Sequence, residues 1–369
     1  MNMVLKSEEK AVFTLRALYH SYGYAPYKMS KFEEYDFYVK NKNFLISGDI
    51  LSFTDLNGRL LAMKPDVTLS IVKNFKESQC SLQKLYYDEN VYRAAPGTHE
   101  FREITQTGLE CMGDIDVYLE CEVIMLAAKS LEEISLNYIL DISSVGIIGG
   151  LFSEISAPEP VKEKIATCIK QKNLHNLIKQ CNENNISTEI TERLKKLAFM
   201  YGPLGEKLPE LKSLCLNEEM KDACNELEII YNTMEKCGLS KNINLDFSVI
   251  TDMNYYNGVV FKGYIDGLPE SVLSGGRYDN LLEKMGKRAG AIGFAVYLDK
   301  LERLDKSTDI YDADLLITYE DGVAPDLIMK YAEEFTAKGQ TVRVQKLPTD
   351  DIKCRLTVRI TAEGVQEND

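Results

Sequence analysis

Four short segments of the 369-residue chain carry the residue types that do chemistry. They are residues 63–68 (MKPDVT), the stretch from Tyr92-Arg93 through Phe101-Arg102 to Gln106-Thr107-Gly108-Leu109-Glu110, residues 254–261 (NYYNGVVF) and residues 274–281 (SGGRYDNL). The chemistry on offer is ion pairing and hydrogen bonding. The carboxylates of Asp66 and Glu110 accept from cationic donors, the hydroxyls of Thr68, Tyr255, Tyr256 and Tyr278 donate and accept, and Arg93, Arg102 and Arg277 are permanent cations. Each residue alone also has an ordinary structural use: Asp66 as a helix cap, Glu110 on the solvated face of a strand, the tyrosines as packing.

The elements that must position these groups can be read from periodicity. Residues 48–75 predict a hairpin and then a helix. Ile50, Leu51 and Phe53 precede the turn pair Asn57-Gly58, Leu60, Leu61 and Met63 follow, and Asp66 or Thr68 caps a helix carrying Leu69, Val72 and Phe75. Residues 84–93 and 102–113 predict strands joined by a polar loop at 94–101. Helices are predicted over 7–22, ended by Gly23, and over 116–134, with a buried strand around Leu140 and Ile142. Residues 158–240 have helical periodicity and no strand pattern, which predicts a helical insertion. Strand patterns return at 243–250, 258–266 and 290–297. A polar linker near 305–312 precedes ADLLITY (strand), 324–337 (helix) and QTVRVQ (strand), a βαβ-like unit. RLTVRIT and a short acidic tail close the chain.

Composition narrows the function. Lys plus Arg is 43 against 57 Asp plus Glu, a formal net charge of −14, which disfavours nucleic acid and anionic membrane as partners. The nine cysteines show no Cys-x-x-Cys spacing and only three histidines occur, so neither a structural metal nor a disulfide framework is expected. No apolar leader and no run of about 18 apolar residues is present, and a cytoplasmic location with reduced thiols is expected.

In this order, and closed by Gly290-Ala291-Ile292-Gly293-Phe294-Ala295, the four segments resemble the catalytic core of histidyl-tRNA synthetase over about residues 5–305. The resemblance implies an α+β, class II synthetase-like fold: an antiparallel sheet flanked by helices. It implies a core of residues 1–305 with the helical insertion at about 158–240, and a shortened α/β anticodon-binding-like domain at 312–369. It also implies a pocket for L-histidine. Asp66, Thr68 and Gln106 would hold its ammonium, and Glu110 and Tyr256 its imidazole, with Tyr278 nearby and Tyr255 lining the pocket. Asp66 stands where the family usually has Glu. Arg93 or backbone N–H groups would meet the carboxylate.

The same resemblance implies that part of the family's activation chemistry is missing. The Glu of the family's Arg-x-Glu is Ala95, and a Gly-Arg pair in the hairpin loop reads His99-Glu100. The arginine of Arg-Gly-Leu-Asp-Tyr-Tyr is Thr251, followed by Asp252. The closing Gly-Leu-Glu-Arg reads Tyr297-Leu298-Asp299-Lys300, and lysine lacks the planar guanidinium that stacks on adenine. Losing one preorganised donor to a developing charge costs about 2.7–4 kcal/mol, or 10²–10³ in rate. Histidine recognition without activation is similar to a paralogous family, the regulatory subunits of ATP phosphoribosyltransferase. That resemblance implies no catalytic residues, no cofactor, self-association as a dimer, and a short-form catalytic subunit as partner in a hetero-octamer under histidine feedback. The alternative is a divergent, active synthetase using Arg102, Arg277 or Lys262 as replacement cations.

Overall fold

The structure is a computed structural model that describes residues 6–45, 49–76, 82–95, 100–250, 253, 255–304, 311–346, 352–361 and 364–368. The chain divides into two units, residues 1–305 and 306–369.

The first unit is built on a nine-stranded sheet. Its order is Ala25–Pro26, Gln83–Ala94, Phe101–Gly113, Gly290–Tyr297, Leu273–Arg277, Val259–Ile265, Tyr138–Ser144, Ile243–Asp246 and Tyr201–Pro203. The predicted hairpin is its longest pairing, running from Gln83↔Met112 to Ala94↔Phe101. The sheet is antiparallel through its centre but mixed at its edges. Ala25–Pro26 runs parallel to the first hairpin strand, and Tyr138–Ser144 runs parallel to Ile243–Asp246. Parallel neighbours need a long crossover, and for Tyr138–Ser144 and Ile243–Asp246 the helical insertion lies in that crossover. The insertion also holds a strand that no periodicity revealed. Tyr201–Pro203 has three residues and pairs antiparallel with Ile243–Asp246. The strand expected over 243–250 stops at Asp246, whose carboxylate accepts from Ser248 N (2.8 Å) and opens a 3₁₀ turn.

Helix Ser7–Ser21 buries Ala11, Leu15 and Tyr19, and Gly23 (φ +81°) turns the chain out of it. Helix Val117–Ile134 is capped by Asp116, which accepts from Leu119 N at 3.0 Å. Both lie on the sheet: the Tyr19 ring meets Phe294 edge-on, and its hydroxyl is 3.0 Å from Ser130 Oγ. A small antiparallel sheet of Phe32–Glu34, Leu60–Met63 and Ser52–Thr54 leads into helix Thr68–Asn74. Its turn follows the Asn57-Gly58 expectation. Gly58 sits at φ +80°, and Asp55 Oδ1 accepts from the backbone of Asn57 and Arg59, both at 2.8 Å.

In the second unit, Ala313–Tyr319, Val342–Gln345 and Cys354–Thr361 are mutually parallel where they pair, with helix Pro325–Thr336 as the crossover. Leu315, Ile317, Ile328, Val358 and Ile360 form its core. Gly364–Asn368, read as tail from sequence, adds an antiparallel fourth strand.

Candidate functional site

The eight predicted site residues, Asp66, Thr68, Arg93, Gln106, Glu110, Tyr255, Tyr256 and Tyr278, all line one cavity of about 1020 Å³ in the first unit. The local sequence explains the convergence. Gln106, Gly108 and Glu110 alternate along one strand and so share a face. Opposite Glu110 in register is Gly293, where a Cβ would lie 1.8 Å from Glu110 Oε2, so only glycine lets this carboxyl lie over the sheet. Thr68 opens helix Thr68–Asn74, and Asp66 caps it by accepting from Leu69 N at 2.9 Å. Asp66 is thus both the cap expected of an isolated acid and a wall of the cavity.

Glu110 is 2% exposed, and the solvated-face reading of it does not hold. Thr68 Oγ1 donates to its Oε1 (2.6 Å) and Tyr278 OH to its Oε2 (2.5 Å). Burial pushes its pKa up to about 8, against the pull of these two donors, and the charge of Asp66 adds to the rise. Burial also raises the Asp66 carboxyl, opposed chiefly by the Arg93 guanidinium. Arg93 reaches over from the hairpin and donates from Nε to Pro65 O (2.7 Å) and from a terminal nitrogen to Asp66 Oδ2 (3.4 Å). It fixes the segment carrying Asp66. Lys64, 1% exposed, is held beside it in an ion pair with Glu89. The aromatic wall is continuous: the Tyr255 ring lies 4.7 Å from Tyr256 and 5.6 Å from Tyr278, centre to centre. Burial holds all three phenols well above their usual range, so they stay neutral.

The cations named for phosphate chemistry scatter. Arg277 gives its guanidinium to Glu120 (2.8 Å) and Asp279 (2.9 Å), and Arg102 is exposed. Ala95 and Lys300 line the cavity, while His99, Thr251, Asp252 and Asn254 lie outside the described residues. Lys262 lines the cavity too, and so does Lys170, which the sequence reading missed. The available signal for Lys262 was a lone charge inside the apolar run VVFKGYI. For Lys170 there was none, because it arrives from the last turn of helix Glu159–Lys170 in the insertion. Among the described residues, no group of three or more His, Cys, Asp or Glu is placed to hold a metal, and no helix is long and apolar enough to cross a membrane.

The ATP phosphoribosyltransferase regulatory subunit of Bacillus cereus is 29% identical over 316 residues, spanning 83% of this chain and 75% of that protein. A crystal structure described as an ATP phosphoribosyltransferase regulatory subunit/histidyl-tRNA synthetase from Bacillus halodurans has a TM-score of 0.78 at 25% identity, covering 98% of this chain and 97% of that one. A chain of the ATP phosphoribosyl transferase (HisG:HisZ) complex from Thermotoga maritima shares the fold, with a TM-score of 0.63 at 20% identity over 79% of this chain and 97% of that one. The family model for histidyl-tRNA synthetase matches residues 3–301, from the first helix through every segment that lines the cavity. By that match, the chain belongs to the histidyl-tRNA synthetase family.

Proposed function

We propose that this chain is a non-catalytic regulatory subunit of ATP phosphoribosyltransferase that binds L-histidine in its cavity and transmits feedback inhibition to a short-form catalytic partner. The observation that carries the reading is Glu110, buried, held by Thr68 and Tyr278, and poised near neutrality in a cavity that Ala95 and Lys300 also line. The names of the relatives support the partnership.

An imidazole titrates near 6.5 and Glu110 near 8, so the protonated Glu110 meets a neutral imidazole at pH 7 and one proton serves both. The pair exchanges that proton without drawing one from solvent. Asp66, oriented by Arg93 and the Leu69 N–H, offers a carboxylate to the ligand ammonium, with Gln106 as a neutral acceptor. The Tyr255 and Tyr256 rings exclude water and raise the worth of both contacts. A few such bonds support micromolar affinity, about −8 kcal/mol.

Regulation follows by linkage. Histidine inhibits by binding the inactive state of the complex more tightly than the active one, and a coupling of about 1–3 kcal/mol shifts the two states 5- to 150-fold. Self-association as a dimer and assembly into a hetero-octamer belong to the same reading. Calorimetry of the isolated chain with L-histidine tests it. Micromolar binding that Glu110→Ala abolishes, with complex assembly intact, is the expected result. Absence of binding to the unmodified chain sinks the proposal.

A further inference from the structure

The cavity has a second charged side, which the histidine reading leaves unused. Lys262 lies on strand Val259–Ile265, in a row of register partners that crosses the sheet as Lys262, Ser274, Ala295 and Gly108. Gly108 sits between Gln106 and Glu110 on their strand, so the lysine and the acid stand three strands apart, roughly 14 Å at the backbone. Lys170 and Lys300 line the cavity with Lys262.

Three ammonium groups gathered in one cavity repel one another, and this costs energy unless an anion joins them. The protein's own anions answer this charge only in part: Asp299 lines the cavity beside Lys300, and two further acids are held in ion pairs. Asp246 pairs with Lys172 at 3.0 Å, and Glu270 pairs with Lys300 at 3.0 Å. Lys300 also donates to Ser271 O at 2.8 Å. Lys262 and Lys170 form no hydrogen bond or ion pair among the described residues. Burial, then Lys170 and then Lys300, lower the Lys262 ammonium from its usual range, with Asp246 pulling the other way. Arg93, the cation first expected to meet the ligand carboxylate, is occupied by Pro65 O and Asp66. With the imidazole assigned to Glu110 and the ammonium to Asp66, the ligand carboxylate is the charged group left without a partner, and Lys262 and Lys170 are, among the described residues, the cavity cations left without one.

We propose that Lys262, with Lys170 behind it, is the subsite for the carboxylate of the bound amino acid. This inference rests on the histidine reading, and its test separates the two. L-histidine and L-histidinol, which carries an alcohol in place of the carboxylate, are titrated into wild type, Lys262→Gln, Lys262→Arg, Lys170→Gln and Glu110→Gln by calorimetry. Wild type should prefer histidine by about 10- to 100-fold, the worth of one charge-assisted hydrogen bond. Lys262→Gln should bring that ratio to within about threefold while leaving histidinol affinity unchanged, and Lys262→Arg should restore most of it. Glu110→Gln should weaken both ligands together and keep their ratio.

A ratio unchanged in Lys262→Gln overturns the assignment. If that variant fails to fold, Lys170→Gln, at an exposed helix end, decides: a ratio lowered severalfold supports the subsite, and an unchanged one overturns it. Inorganic phosphate binding that Lys262→Gln abolishes, with histidine affinity untouched, gives the lysines to a separate anion and also overturns the assignment. Failure of wild type to bind either amino-acid ligand overturns the histidine reading itself.

Discussion

Glu110 is expected to weaken the protein that carries it, by an amount that depends on pH. Its carboxyl titrates near 4.5 when free and near 8 in the fold, so between those values the folded state holds a proton that the unfolded state has released. Stability therefore is highest below the lower value, falls as pH rises between them, and levels off above the upper one. At about pH 5.5 the gap is 5.5 − 4.5 = 1 unit, or about 1 kcal/mol; above pH 8 it is 8 − 4.5 = 3.5 units, or about 5 kcal/mol. Glu110→Gln keeps the shape and removes the titration. Its amide oxygen accepts from one of Thr68 and Tyr278, and the other hydroxyl turns to accept from the amide, at a cost of about 1 kcal/mol. The variant should match wild type near pH 5.5 and exceed it by about 3–4 kcal/mol near pH 8.5, while losing histidine. Urea unfolding followed by far-UV circular dichroism at the two pH values measures the difference. An equal difference at both would refute the account of Glu110, because a carboxyl lost without a pH-dependent gain was not held protonated by burial.

Three further substitutions probe the frame around it. Tyr278→Phe removes a donor from Glu110 Oε2, which should raise the carboxyl pKa further and weaken histidine by about tenfold in calorimetry. Gly293→Ala places a methyl 1.8 Å from Glu110 Oε2 and 2.4 Å from Leu109 O; it should destabilise by about 3 kcal/mol or more in urea unfolding and remove histidine binding. Lys64→Met strands Glu89 beside the site, and unfolding should show a loss of about 3 kcal/mol, whereas breaking the exposed pair with Lys221→Met should leave the unfolding midpoint close to that of the unmodified chain.

Much of this site was legible because its residues come in local groups tied to strong signals. The long hairpin alternates cleanly, so the shared face of Gln106 and Glu110 follows from period two. The Pro65-Asp66 step before an apolar helix announces a cap. What the sequence hid was tertiary. Glu110 reads as solvated until Thr68, from a helix start, and Tyr278, after the Gly-Gly-Arg strand, close over it. Asp66 serves as cap and cavity wall at once, a choice that local reasoning presents as either–or. The parallel sheet edge depends on where a crossover of six helices returns the chain. Lys170 and Lys262 line the same cavity only because that crossover brings a helix end back to it. Tyr201–Pro203 is too short for any alternation to register.

The central claim is that this chain regulates a catalytic partner through the Glu110 cavity. The most direct measurement is the initial rate of phosphoribosyl transfer to ATP by the short catalytic transferase of the same genome. It is taken alone, with this chain, and with this chain plus L-histidine. The account predicts a rate that rises with the chain, falls with histidine, and stays high with histidine when Glu110→Ala replaces the unmodified chain. A transferase whose rate responds to neither the chain nor histidine in its presence would contradict it.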